Sequence, residues 1–110
     1  MLKGMGGLGN MGNLVKQAQK MQRDMARVQE ELKERVVEGA AGGGAVKAQV
    51  NGHMDLVALK IDPQAVDPED VEMLEDLIIA AVSQAIQKAR AMSEEAMSKV
   101  TGGLGLPGLL

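Results

Sequence analysis

Apolar residues recur along the first third of the chain at Met11, Leu14, Ala18, Met21, Met25, Val28 and Leu32. Their steps alternate between three and four, the spacing of a helix-pairing seam. Lys16, Lys20, Arg23 and Arg27 each follow a seam member by two positions. Two residues correspond to about 200° of helix rotation, so the basic row lies nearly opposite the seam. A helix patterned this way offers one face to a protein partner and another to something anionic. The pattern predicts a helix from an Asn13 N-cap to about Arg35. Its cations fall early and Glu30, Glu31 and Glu34 fall late, which opposes the helix dipole. An (i, i+4) pair of Arg27 with Glu31 offsets part of that cost.

The period then changes. Val36-Val37-Glu38 is a short β-prone stretch, and Gly39 to Gly44, with three consecutive glycines, is expected to be a mobile loop. Val46, Ala48 and Val50 alternate with Lys47, Gln49 and Asn51, the mark of a half-buried strand. Asn51-Gly52 predicts a hairpin with a type I′ turn. The return strand covers Met54 to Ile61, with Val57, Leu59 and Ile61 on one face and apolar Leu56 and Ala58 on the other. Apolar residues on both faces suggest a strand that is central or lies at an interface. Asp67-Pro68-Glu69-Asp70 reads as a helix start, with an Asp cap, Pro at the first position and acids in the first turn. The second helix runs to about Val100, with Val71, Leu74, Leu77, Ile78, Ala81, Val82, Ala85, Ile86, Ala89 and Met92 as its apolar side. The predicted class is α+β: a helix, a three-stranded antiparallel sheet and a long helix. The helices would be roughly 33 and 50 Å long, whereas the strands span only about 20–27 Å. Both helices therefore overhang the sheet, and their apolar overhangs must pack on each other or on a second copy. An intertwined, symmetric homodimer with projecting helical arms follows.

Composition sharpens this picture. The chain has 110 residues and no Phe, Tyr, Trp or Cys. It suffices for one domain, expected over residues 13–100 and flanked by flexible glycine-rich tails at 1–12 and 101–110. A core of Leu, Ile, Val, Met and Ala without aromatics is small, and association is the available remedy when disulfides are excluded. No apolar run approaches a membrane span, and Met1-Leu2-Lys3-Gly4 does not open a signal peptide, so a cytoplasmic protein without membrane partners is expected. The net charge is −3, but Asp62, Asp67, Glu69, Asp70, Glu72, Glu75 and Asp76 form one block without an intervening cation. With that block set aside the chain is basic on balance, and a ligand meets the local field rather than the sum.

Motifs that carry catalytic chemistry are missing. Gly7-Leu8-Gly9-Asn10-Met11-Gly12 matches G-x-G-x-x-G but lacks the preceding strand of a dinucleotide site. His53, the single histidine, follows the hairpin without a catalytic partner and reads as a loop residue. The acids of the second helix lack the spacing of a metal site and are accounted for by capping and solubility. No nucleophile elbow or phosphate-binding Gly-Lys-Ser/Thr loop is present. The reading is non-enzymatic, with no cofactor, metal or small-molecule substrate. The basic row is either a solvated helix face or a phosphate-contacting stripe. Lys88, Arg90 and Lys99 on the distal second helix extend the stripe, and Gln17, Gln19, Gln84 and Gln87 add hydrogen-bonding capacity. Without aromatics to stack on bases, duplex DNA is a better target than a single strand.

Gly9-Asn10, the run Leu14-Val15-Lys16-Gln17-Ala18-Gln19-Lys20-Met21-Gln22, Val50-Asn51-Gly52, Ile61-Asp62-Pro63, and Glu72-Met73-Leu74-Glu75-Asp76-Leu77 with Ala80-Ala81 resemble the YbaB/EbfC nucleoid-associated proteins. The resemblance covers essentially the whole chain. It implies a dimeric α/β protein whose paired helices project like tweezers and grip duplex DNA, in the bacterial cytoplasm and nucleoid, with effects on chromosome organisation and gene expression. It places DNA contacts in the region of Lys16 to Arg27 and on the distal second helix. The expected site is thus Lys16, Lys20, Arg23 and Arg27, joined by Lys88, Arg90 and Lys99. Leu14, Met21, Met25, Val28, Leu32, Val57 and Leu59 are the expected dimer contacts. The alternative is a helical adaptor that meets an acidic protein and does not touch DNA.

Overall fold

The computed structural model describes residues 2–102, with side chains from residue 11 onward. Its elements are α1 (Leu2–Glu34), β1 (Val36–Ala41), β2 (Val46–Asn51), β3 (Leu56–Ile61), a short 3-10 turn (Pro63–Ala65) and α2 (Val71–Gly102). This is the expected α+β order. The strands form one antiparallel sheet in the order β1-β2-β3.

Several local expectations are corrected. α1 begins at Leu2, so Asn13 lies within the helix and residues 2–12 continue it. Each glycine there costs about 1 kcal/mol of propensity relative to Ala, but no Pro interrupts the run, and propagation from an established helix is cheap. Met1 and residues 103–110, the remainder of the two expected tails, lie outside the described residues. The segment Gly39–Ala41 belongs to strand β1, and the loop narrows to residues 42–45, of which Gly42, Gly43 and Gly44 have positive φ (63°, 69° and 95°). Consecutive left-handed residues are what the three glycines supply.

The Asn51-Gly52 turn is not type I′, because neither residue has positive φ; Met54 does, at 66°. Asn51 shapes a longer loop through its side chain. Its Oδ1 accepts from the backbone N–H groups of His53 (2.9 Å) and Asp55 (3.0 Å). The Gly52 N–H donates to the Leu32 carbonyl at 2.9 Å and the Arg35 carbonyl at 3.1 Å. The loop thereby satisfies carbonyls at the end of α1 that the helix itself cannot pair. A Cβ on Gly52 would lie 2.6 Å from the Leu32 Cβ, so glycine is required by the close approach of α1.

α2 starts later than Asp67. Asp67 closes the preceding turn by accepting from the Glu69 N–H at 2.9 Å, and Asp70 caps the helix by accepting from the Met73 N–H at 3.2 Å. With two Asp residues three apart, the one positioned to reach the third helical N–H becomes the cap.

β3 is an edge strand rather than a central one. A register shift between Gln49 and Val50 sets Leu56 opposite Val50, while Leu59 and Ile61 stand opposite Ala48 and Val46. The irregularity brings Leu56 to the side of Leu59 and Ile61 and leaves Val57 unpaired as the extra residue of a bulge.

The core is the contact of α2 with β1 and β2. Val46, Ala48, Val50, Ala81, Ala85 and Ala89 are all fully buried, and Leu74, Leu77, Ile78, Val82, Ile86 and Ile61 pack around them. Ala81, Ala85 and Ala89 recur every four residues, so one small-residue stripe of α2 meets the sheet. Gly39 lies beneath it. A Cβ there would overlap the Ala81 carbonyl oxygen and sit 2.5 Å from the Ala85 nitrogen. Gly39→Ala is therefore expected to lower stability by about 3 kcal/mol, since backbone and not a flexible side chain must yield. Gly43→Ala, where a Cβ meets nothing within 4 Å, should cost only about 1 kcal/mol, for its left-handed backbone. Urea unfolding followed by far-ultraviolet circular dichroism makes the comparison, and equal losses would contradict the close packing.

Candidate nucleic-acid interface

The chain direction builds an arm. α2 runs antiparallel to β1: Leu77 approaches Gly42, Ala81 and Ala85 lie over Gly39, and Lys88 reaches Glu38. Past β1, α2 meets the C-terminal half of α1, where the Gln29 amide donates to the Met97 sulfur at 3.6 Å. His53 adds a contact at the same level, its Nε2 lying 2.7 Å from the Gln29 carbonyl oxygen. The single histidine thus helps dock the β2–β3 loop on α1. α2 ends at Gly102, and every α1 residue from Met11 to Lys20 is exposed. The N-terminal part of α1, residues 2–20, is a helical arm about 27 Å long, and its residues 11–20 are free of packing among the described residues. It gives the molecule a longest dimension of 81 Å.

The seam predicted on α1 divides in two. Leu32 (1% exposed) and Val28 are buried within their own chain, so intrachain packing uses them and they are not free dimer contacts. Leu32 is held over Gly52 and Val28 faces α2. Met21 and Met25 are half-buried, whereas Leu14 is 62% exposed. On the sheet, Val57 and Leu59 are exposed at 50% and 40%.

The basic row follows the arm and continues past its base. Lys16 and Arg23 are exposed and have no ion partner among the described residues. Lys20 lies 3.8 Å from Asp24, and Arg27 lies 3.3 Å from Asp24 and 3.6 Å from Glu31. The Arg27–Glu31 pair is the one expected from spacing. Asp24 is the carboxylate that the row pattern overlooked. Such exposed pairs are worth under about 1 kcal/mol each, so a stronger anion can displace them. Between α1 and the last turns of α2 lies an open cleft of about 430 Å³. Val28, Leu32, Met92, Ala96 and Val100 contribute its apolar lining; Lys20, Arg27, Arg35 and Lys99 bring the cations, and Asp24, Glu31 and Glu95 the acids.

The fold therefore gathers Lys20, Arg27 and Lys99 at one place, as a shared stripe required, although Lys99 is 3.8 Å from Glu95. Arg35 was missed; it stands eight residues beyond Arg27, two four-residue steps past the end of the row and just beyond α1. Lys88 is separate: its ammonium donates to the Glu38 carbonyl at 2.9 Å, at the sheet edge. Gln84 is likewise engaged, accepting from the Ala40 N–H at 2.7 Å. Arg90 is exposed. Helical spacing from Ala81 turns it away from the sheet.

The Gly7–Gly12 run lies in helical backbone, which leaves no loop to cradle a phosphate. Among the described residues, no cluster of three or more His, Cys, Asp or Glu could hold a metal, and no helix is long and apolar enough to cross a membrane.

Known proteins share this arrangement. A crystal structure of an uncharacterized protein from Helicobacter pylori superposes with a TM-score of 0.60, covering 71% of this chain and 90% of that one at 23% identity, which establishes a common fold. A nucleoid-associated protein of Acetivibrio thermocellus is 62% identical over 102 residues, covering 92% of this chain and 90% of its own. One from Alkaliphilus metalliredigens is 53% identical over 106 residues, with 96% and 93% covered. Another, from Clostridium perfringens, is 58% identical over 104 residues, with 94% and 93% covered. The family model described as the YbaB/EbfC DNA-binding family matches residues 5–104, spanning arm, sheet and α2 alike, and the chain belongs to that family.

Proposed function

We propose that this chain binds duplex DNA as a homodimer, chiefly through phosphate contacts, and acts without catalysis in the nucleoid of the bacterial cytoplasm, influencing nucleoid organisation and gene expression. The observation that carries the reading is the free arm of α1 with its exposed cations. From Met11 to Arg27 the helix bears Lys16, Lys20, Arg23 and Arg27 against a single carboxylate, Asp24. The four cations span about 16 Å along the helix axis. That exceeds the roughly 12 Å width of the major groove, so this stretch of α1 can reach phosphates on both groove walls.

Lys16 and Arg23 lead the contact set because no carboxylate competes for them. Lys20, Arg27 and Lys99 exchange a carboxylate for a phosphate, and Arg35 joins them from the cleft. Arg90 is an outlying contact. Lys88 is withdrawn from the set because the β1 edge holds its ammonium. The acidic block lies at the opposite end of the molecule, from Asp62 to the first turns of α2. DNA is thereby repelled from the sheet end and drawn to the arm.

Two features support the homodimer. An isolated helical arm of this length is marginal in water, and Met11, Leu14 and Val15 on it are exposed. In addition, α2 covers β1 and β2 but leaves β3 largely uncovered. Helical spacing places Ile78, Val82 and Ile86 on the β3 flank of α2, where they are only half-buried. Together with Val57 and Leu59 they form an apolar strip that a second copy covers, and Leu14, Met21 and Met25 extend it along the arm.

Two measurements test these readings. Lys16→Glu with Arg23→Glu should weaken binding to several unrelated duplexes alike. In fluorescence anisotropy titrations it should also flatten the slope of log K against log salt by about 2 per chain. Unchanged binding by the folded variant would defeat the assignment. For the dimer, Val57→Glu with Leu59→Glu should shift sedimentation from two chains toward one, and a variant that remains dimeric would remove these residues from the interface.

A further inference from the structure

The arm of α1 outruns α2. Gln29 meets Met97 across the two helices. The longest dimension, 81 Å, is that of helices of 33 and 32 residues overlapping antiparallel by about ten residues. Gly102, five residues beyond Met97, therefore stands level with Asp24. Cover from α2 stops there. Val28 and Leu32 are buried and Met21 and Met25 half-buried, whereas Met11, Leu14 and Ala18 continue the same seam and are exposed, as is Val15 beside them. The DNA contacts proposed above do not use this bare stripe, because the cations lie nearly opposite it.

The chain continues past Gly102 as Gly103-Leu104-Gly105-Leu106-Pro107-Gly108-Leu109-Leu110. Four of these eight residues are Leu and none is charged, which matches an apolar stripe and nothing else on the arm. Pro107 disfavours helix at Leu106, and glycine disfavours it at 103 and 105. In an extended chain Leu104 and Leu106 fall on one side and the glycines on the other. We propose that residues 103–110 lie extended along the seam of α1 from Met21 to Met11, so that the chain covers its own arm where α2 stops.

Length and spacing support this occupant. From Asp24 to Met11 is about 20 Å along the helix axis, and eight extended residues span about 26 Å. Leu104 lies about 7 Å past Gly102 and comes level with Met21; Leu106, about 13 Å past it, comes level with Leu14 and Val15. The small Ala18 falls between the two leucines, opposite Gly105, and Leu109 and Leu110 are left for Met11. Because the segment is uncharged, Lys16, Lys20, Arg23 and Arg27 keep both their field and their open face. The arm is thereby braced from its apolar side without masking its cations. This docking goes beyond the DNA reading and stands without it. The second copy proposed above keeps the strip at β3 and meets Leu14, Met21 and Met25 from the flank.

The chain has no Cys, so introduced pairs report the contact directly. Leu14→Cys with Leu106→Cys, treated with a mild oxidant, should lose both thiols while running at the mass of one chain on a non-reducing gel. Lys16→Cys with Leu106→Cys sets the first thiol nearly opposite the seam and should stay reduced over the same interval. Equal closure of the two pairs, or closure of neither, overturns the docking. Leu14→Cys alone doubling in mass would put a second arm on this stripe. A cross-link between separately prepared Leu14→Cys and Leu106→Cys chains would put the segment on a neighbouring copy. Either result overturns docking within the chain. Hydrogen exchange supplies a second readout. Leu104→Ser with Leu106→Ser should speed exchange of the Met11–Lys20 amides about tenfold, with the α2 amides over the sheet unchanged. Exchange that is unaltered from Met11 to Lys20 overturns the proposal.

Discussion

The fold depends on how closely α2 approaches the sheet at Gly39. Backbone meets backbone there, and only hydrogen on Gly39 and methyls on Ala81 and Ala85 leave enough room. A chain without aromatic residues cannot fill a wide interlayer space, so the layers close until small side chains suffice. That closeness sets the lateral position of α2 over β1 and β2. It brings Gln84 and Lys88 within reach of the β1 edge and leaves β3 bare on its helix side. The closed edge, the open edge and the uncovered apolar strip follow from one contact.

A second close approach sets the arm. Gly52 admits Leu32, and the loop it begins donates to the last carbonyls of α1. With the end of α1 anchored there and α2 passing alongside it, residues 11–20 of α1 are left without packing among the described residues of their own chain. The arm is a consequence of two helices of similar length, 33 and 32 residues, meeting through their C-terminal halves. Its cations stand away from the acidic block because the same antiparallel arrangement sends the start of α2 to the other end. A net charge of −3 thus coexists with a basic stretch of α1. Asp24 and Glu31 temper that stretch without cancelling it, since exposed ion pairs exchange readily for phosphate.

Much of this was legible in the residues. The α+β order, the Val46–Val50 alternation, the basic row and the Arg27–Glu31 pair follow from periods of 3.6 and 2, which are local properties of the chain. Family membership was legible separately, because the residues of runs such as Leu14–Gln22 and Glu72–Leu77 resemble those of the family. The errors fell where backbone conformation answers to distant neighbours. Gly39 looked like loop because a glycine needed for contact 42 residues away in sequence cannot be told from one needed for a turn. Asn51-Gly52 looked like a two-residue hairpin, but the approach of α1 determined the loop. Asp67 and Asp70 are equally good caps on paper, and geometry chose the second.

The seam on α1 marks the same boundary. Sequence alone determined that Met11 to Leu32 share a helical face and that cations lie nearly opposite, because side-chain direction on a helix depends only on spacing. It could not say which members the chain keeps for itself. Tertiary structure decided that Val28 and Leu32 are spent within the chain while Leu14 remains uncovered, that Lys88 serves the sheet edge while Lys99 joins the cleft, and that β3 is an edge. Burial depends on what lies across the interface, and that is a property of the folded arrangement rather than of any segment's pattern.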